Sequence, residues 1–287
     1  MARGSQVCAL SIVEEHRRRN QTTRDRWETM TPHRERVMRL IGEARRGAGG
    51  SLCVLGAGNA NDIDLVSLAG EFERIALVDL DEQSLERAVE RVPEADRGRI
   101  ELLGAIDLTG ILPSLTKWQS GHAPTAAEVS AAIETARSVP PPTVGTFDVV
   151  ASTCVLTQLI DSIYMGLAAD QPQRQELVLA VRNRHLEILV ELATPGGAEV
   201  LITDFVATET APELAHLNDA QVPAAAEEWI NQRNFFTGAN PYAIRDYLLG
   251  PLAEKVSSDD VQVSPARRWD IGAKQLAVIA VTFRRRE

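Results

Sequence analysis

The chain has 287 residues, 44% of them hydrophobic, and a formal net charge of −10 at pH 7. That length suits one large α/β core, and the acidic balance argues against a nucleic-acid backbone as the main partner, because phosphate binding needs a basic face. Cys8, Cys53 and Cys154 are scattered and form no CxxC pair, which excludes a disulfide framework or zinc knuckle and reads as a reduced, cytoplasmic chain. No apolar run approaches the roughly 20 residues of a membrane helix and no apolar signal segment opens the sequence, so no membrane role is expected.

Residues 1–47 form an N-terminal helical extension. Val37, Leu40, Ile41 and Ala44 fall on one helical stripe that ends at the glycines of RRGAGG. The short basic clusters Arg17–Arg19 and Arg284–Arg286 read as solvated tails. SLCVL is a buried strand that runs into the glycine turn GAGNAND, and NDIDLVSLAG reads as a helix with Asp62 in its first turn. RIALVDL is the second strand. Leu85, Ala88, Val89 and Val92 make the next helical stripe, and RIELLGAIDL supplies a third strand ending in Asp107.

Residues 111–146 interrupt the alternation with an inserted helix carrying Val129, Ala132, Ile133 and Ala136, stopped by VPPPTVG. TFDVVAS is the fourth strand, LVLAVRNRHLEILVELA a long helix ended by TPGG, and AEVLITDF the fifth strand. Residues 207–265 gather most of the remaining aromatics into a helical cap over the crevice, and KQLAVIAVTFRR returns to the sheet. The pattern predicts a doubly wound, mostly parallel seven-stranded sheet with helices on both faces. Residues 48–206 form its Rossmann-like core, and residues 207–287 form the cap and a terminal strand of the same sheet. Ligands in such sheets sit beyond the carboxyl ends of the strands.

Two nucleotide chemistries compete for the glycine turn. The dinucleotide pattern GxGxxG would put Asn61 at its third glycine, whereas GxGxG puts Ala60 there, a smaller departure. Asp79, after the second strand, is placed to accept both hydroxyls of a ribose. It is alternatively a helix cap, a role that suits Asp81 better. Asp107 is positioned to accept from an adenine amine between Ile106 and Leu108, or to start the LTGIL turn.

VLGAGNAND, ALVDLDEQSLERA, AIDL, FDVVASTCVLTQL and TPGGAEVLITDF, in this order and spacing, resemble the successive motifs of class I S-adenosylmethionine-dependent methyltransferases. The resemblance covers about residues 48–206, and the closing strand fits that family's reversed seventh strand. It implies S-adenosylmethionine as cofactor: Gly56, Ala57 and Gly58 admit the methionine moiety, Asp79 with Leu80 holds the ribose, and Ile106, Asp107 and Leu108 face the adenine. Ser152, Thr153 and Cys154 would line the transfer cleft. Three positions depart from the pattern. Val54 replaces the acid two residues before the first glycine, with Asn59 or Asp62 as substitutes; Ala60 replaces the third glycine; and Gln158 stands where histidine is common.

The expected function is therefore methylation of a small-molecule acceptor at oxygen or nitrogen. Asp204 is the candidate to contact or deprotonate the acceptor, or else a helix cap. Cys154, Gln158, Tyr164, Phe236 and Tyr242 are candidate acceptor-lining residues, with Trp229 and Phe235 adding to an aromatic wall unless these rings simply pack the core. The alternatives are a binding protein without turnover and a nicotinamide-dependent oxidoreductase. The NPY at Asn240–Tyr242 reads as a turn. His33, His122, His185 and His216 show no metal spacing, so no metal is expected.

Overall fold

The computed structural model describes residues 10–272 and 274–287; Cys8 lies outside them. Helices α1 (Ile12–Thr23) and α2 (Thr31–Ala44) precede strand β1 (Ser51–Leu55). Then follow α3 (Leu65–Glu71), β2 (Arg74–Val78), α4 (Glu82–Glu90), the single turn α5 (Glu94–Arg97) and β3 (Ile100–Leu103). Helices α6 (Leu112–Gln119) and α7 (Ala126–Ser138) lead to β4 (Phe147–Thr153), α8 (Leu156–Gly166), α9 (Arg174–Leu192) and β5 (Ala193–Ala207). The last part holds α10 (Val222–Asn231), α11 (Pro241–Leu249), β6 (Gln262–Val263), β7 (Arg267–Asp270) and β8 (Gln275–Arg284).

The sheet order is β3-β2-β1-β4-β5-β8-β6, with β7 also paired to β8. Strands β1 to β5 are parallel, and β8 is antiparallel to β5. Because β6 and β7 are both antiparallel to β8, they run with the parallel set. The sheet thus has eight strands where the sequence suggests seven. One strand position is shared by two short pieces, and Pro265 between them has no N–H to give a ladder.

The period of two along each strand builds two apolar layers. Cys53, Leu55, Ala76 and Val78 face a core shared with α7, α8 and α9, while Leu52, Val54, Ile75 and Leu77 face one shared with α2, α3 and α4. Helix α9 is buried on several sides, and its buried residues include Arg182, Arg184 and His185 beside the apolar ones. Among the described residues no helix is long and apolar enough to cross a membrane.

Several local expectations change. Asp62 precedes α3 instead of lying in its first turn, because Asp64 is the N-cap, accepting from the amides of Val66 and Ser67. Strand β3 stops at Leu103, so Asp107 sits in the following loop. The 111–146 insertion holds two helices. TPGG falls within the irregular start of β5, whose register against β4 shifts there.

The basic clusters are not tails. Arg18 and Arg19 pair with Glu15 within α1, and Arg19 also reaches Asp161 at 2.6 Å. Arg284, Arg285 and Arg286 donate to the carbonyls of Ala44, Ala193 and Val256 at 2.8, 2.7 and 3.0 Å. Asn240 caps α11 by accepting from Tyr242 and Ala243, which makes NPY a helix start.

Candidate functional site

The glycine turn is shaped by backbone conformation that its residues must tolerate. Gly56 has φ +74°, and a Cβ there would lie 2.3 Å from the Cβ of Val155, so only glycine fits. Its amide and that of Ala57 donate to the Val78 carbonyl, tying the end of β1 to the end of β2. Ala60, at the third glycine position, also has positive φ, at 50°. The backbone keeps the left-handed turn that glycine would favour, at a cost of about 1–2 kcal/mol for the methyl-bearing residue.

Asp79 follows β2 and is held in place by two backbone donors, the Gly58 amide at 2.8 Å and the Asp81 amide at 2.9 Å. Burial pushes its pKa up to about 6 against these bonds. Asp81 occupies the N-cap position of α4 without capping it, because its carboxylate accepts from Asn20 at 3.1 Å instead. Asp107 performs the turn role: its carboxylate accepts from the Thr109 amide and hydroxyl and from the Leu112 amide at 2.8, 2.6 and 2.9 Å.

Beyond the carboxyl ends of β1, β2 and β4, Gly56, Asp79, Leu80, Ile106, Asp107 and Leu108 line one cleft, joined by Gln158. It measures about 500 Å³ with its open mouth. Helix α1 narrows it: His16 and Asn20 project into the lining, and the His16 ring is 2.8 Å from the Ser162 hydroxyl. Ala57, Gly58, Asn59, Asp62, Thr153 and Cys154 are not part of its lining.

The amide of Asn59 donates to the Asn20 carbonyl at 2.6 Å, so this residue serves α1. Asp62 is half-buried beside Thr153, and burial pushes its pKa up to about 6. The Thr153 hydroxyl lies 3.4 Å from the Gly56 carbonyl. Next to it, Cys154 takes φ 52°, and burial, with Asp204 and Asp62 nearby, drives its thiol pKa well up.

Asp204 lies near the end of β5, where the register to β8 shifts, and is 8% exposed. The Thr157 hydroxyl donates to it at 2.5 Å, and burial raises its pKa. Asp62, Thr153, Cys154, Thr157 and Asp204 thus gather at the ends of β4 and β5, beside the first cleft. A bulge of this kind re-aims a side chain at a strand end.

The aromatic wall is not assembled. Tyr164 is exposed under the Arg174 guanidinium, on the outward side of α8. Tyr242 donates to Glu227 on α10, and Trp229 is core, its indole N–H on Glu213. The residues of 207–265 bury their apolar face against α8 and α9, and none of them lines the cleft. Phe236 alone approaches the site, its amide donating to the Phe205 carbonyl at 2.7 Å.

Three further residues brace the loop. Arg34 and Arg91 both lie over the Trp27 ring, at 3.5 and 4.4 Å, and donate to the carbonyls of Asn61, Asn59 and Ala60. No sequence motif marks these three residues, Thr157, His16 or Asn20, since their partners are remote in the chain.

No family model matches the chain, and no curated protein sequence matches it. Among solved structures it is similar to the N-methyltransferase NodS from Bradyrhizobium japonicum in complex with S-adenosyl-L-homocysteine. That likeness has 14% identity, covers 97% of this chain and 100% of that one, and has a TM-score of 0.49. It is also similar to a putative S-adenosyl-L-methionine-dependent methyltransferase from Methanococcus maripaludis, at 11% identity over 99% and 98% of the two chains, with a TM-score of 0.47. A third, a TehB-like methyltransferase from Corynebacterium glutamicum, has 13% identity over 94% and 100%, with a TM-score of 0.43.

Proposed function

We propose that this chain is a cytoplasmic S-adenosylmethionine-dependent methyltransferase that methylates a small-molecule acceptor at oxygen or nitrogen. The observation that carries the reading is the single cleft in which Gly56, Asp79, Leu80, Ile106, Asp107 and Leu108 converge from three separate strand ends. Asp79 would hold the ribose and Asp107 the adenine amine through its remaining acceptor capacity. Asp62 is the better substitute for the acid missing at Val54, since Asn59 is committed to α1.

The cofactor supplies a sulfonium methyl whose leaving group needs little assistance. The chain supplies alignment, a dry cleft and one proton acceptor. Asp204 accepts the acceptor's proton; burial raises its pKa above the ordinary carboxylate value, which makes its carboxylate the stronger base, and Thr157 fixes its orientation. His16 and Asn20 stand in the lining, so α1 forms one wall of the space that a nucleoside would occupy.

Calorimetric titration with S-adenosylhomocysteine is the test, and saturable one-site binding is the expected result. Absence of binding by either S-adenosylmethionine or S-adenosylhomocysteine would end this reading. Binding without methyl transfer to any compound in a metabolite panel would leave the non-catalytic binding role, which the occupied hydrogen bond of Asp204 favours.

A further inference from the structure

A second cavity lies on the other face of the sheet, between α2, β5, β7 and β8. It is lined by His33, Arg36, Ile202, Arg267, Trp269 and Val278, and measures about 320 Å³ with its open mouth. Its floor is apolar; its polar side chains are His33, Trp269, three arginines and the Ser264 hydroxyl, which already accepts from the Ala280 amide. His33, 5% exposed, stacks on the Trp269 indole with ring centres 4.0 Å apart and 11° between planes.

Three nitrogens here are buried without a hydrogen-bond partner: His33 Nε2, Trp269 Nε1 and Arg36 Nε. Buried polar groups are normally paired, so three orphans on one cavity call for an absent partner. The charges repeat the message. Arg36 and Arg267 face each other closely enough that Arg267, after burial, lowers the Arg36 pKa.

Neither arginine forms an ion pair among the described residues, whereas neighbouring Arg39 has Glu43 within 3.8 Å. The acid that acts most on Arg36, Asp219, is exposed and outside ion-pair distance. Neither guanidinium has a side-chain hydrogen bond among the described residues, whereas other arginines without an ion pair, such as Arg34, Arg91 and Arg284, donate to carbonyls. His33 is neutral, its pKa lowered to about 3 by burial and then by Arg36, so it brings at most one N–H at Nε2 and no charge.

We propose that the cavity bounded by His33, Arg36, Arg267 and Trp269 binds an oxyanion, the carboxylate or phosphate group of a small ligand. Two guanidinium forks would neutralise it bidentately, and the two ring N–H groups would complete its acceptor demand. The site is separate from the cleft of Asp79 and does not depend on the methyltransferase reading.

The test uses the full chain without cofactor. Thermal melting and calorimetry are run with inorganic phosphate, with acetate, and with sodium chloride at matched ionic strength. Phosphate or acetate is expected to raise Tm above the chloride control and to bind one per chain; the anion that binds identifies the oxyanion class. The Arg36→Gln/Arg267→Gln double variant should lose that increment while melting no lower than the wild type in chloride, since it loses a repulsion. If the double variant does not fold, Arg267→Gln alone carries the test, with at least tenfold weaker anion binding expected. No increment over chloride for either anion, or unchanged affinity in the variant, overturns the proposal.

Discussion

The nucleoside end of the cleft and the acceptor end differ in how their residues come together. At the first, each residue follows shortly after its own strand: Gly56 after β1, Asp79 after β2, Asp107 in the loop after β3. At the second, Thr157 of α8 and Asp204 of β5 meet from segments far apart in the chain, and each side chain depends on the other. Backbone bonds between the neighbouring ends of β1 and β2 fix the nucleoside end, while the acceptor end is fixed only once α8 meets β5. Damage at the first end should therefore abolish binding, and damage at the second should spare binding and reduce turnover.

The sharpest test of that division is Gly56→Ala. The new Cβ would meet Val155 at 2.3 Å in left-handed backbone, for a loss of about 3 kcal/mol. A Tm roughly 10 °C lower, with no detectable S-adenosylhomocysteine binding, is expected by calorimetry and melting. Next comes a pair. Asp79→Ala should weaken S-adenosylhomocysteine ~100-fold by removing charged acceptors. Asp204→Asn should leave that affinity within about threefold and slow methyl transfer ~100-fold. Equal loss of affinity in both variants would merge the two ends into one.

A smaller effect follows from pH. Asp79 and Asp62 have pKa values raised to about 6, while the unfolded chain ionises them near 4. Between those values the native state holds the extra protons, so stability of the free protein falls as pH rises from about 4 to 6 and then levels. Ligand affinity should move the other way, because the ionised carboxylates are the better acceptors: about tenfold weaker at pH 5 than at pH 7. Parallel slopes in melting and in titration calorimetry would refute the assignment.

The smallest change sits on the strand that carries Asp204. Glu199 on β5 is fully buried, neither oxygen has a hydrogen-bond partner, and burial pushes its pKa up to about 9. Glu199→Leu should raise Tm by a few degrees, the return from removing an unpartnered polar group worth about 1–3 kcal/mol. It should also flatten the decline of stability between pH 4.5 and 9 without altering S-adenosylhomocysteine affinity. A fall in Tm would mean that Glu199 has a partner.

What the sequence made legible follows the same line. Strand runs, the glycine turn and Asp79 were readable because apolar periodicity and backbone permissiveness are local properties. The pairing of the closing strand was readable from its apolar run, but its reversed direction came only from the family resemblance, since strand direction depends on the whole sheet. Tyr164 and Tyr242 were misplaced because aromatic content does not specify which side of a helix faces a cleft; each ring found a charged neighbour instead. Asn59 and Asp62 looked equivalent as loop polar residues. Only the position of α1, set by contacts such as Arg19 to Asp161, separates them.

The insertion of β8 between β5 and β6 also dictates a folding order. Strand β5 is synthesised well before its antiparallel partner, and until β8 arrives its free N–H and C=O groups present a long apolar edge. Until that pairing forms, the edge of β5 is the kind of surface to which another strand can add. The arginines that follow, bonded to the carbonyls of Ala44, Ala193 and Val256, act as the latch on that pairing.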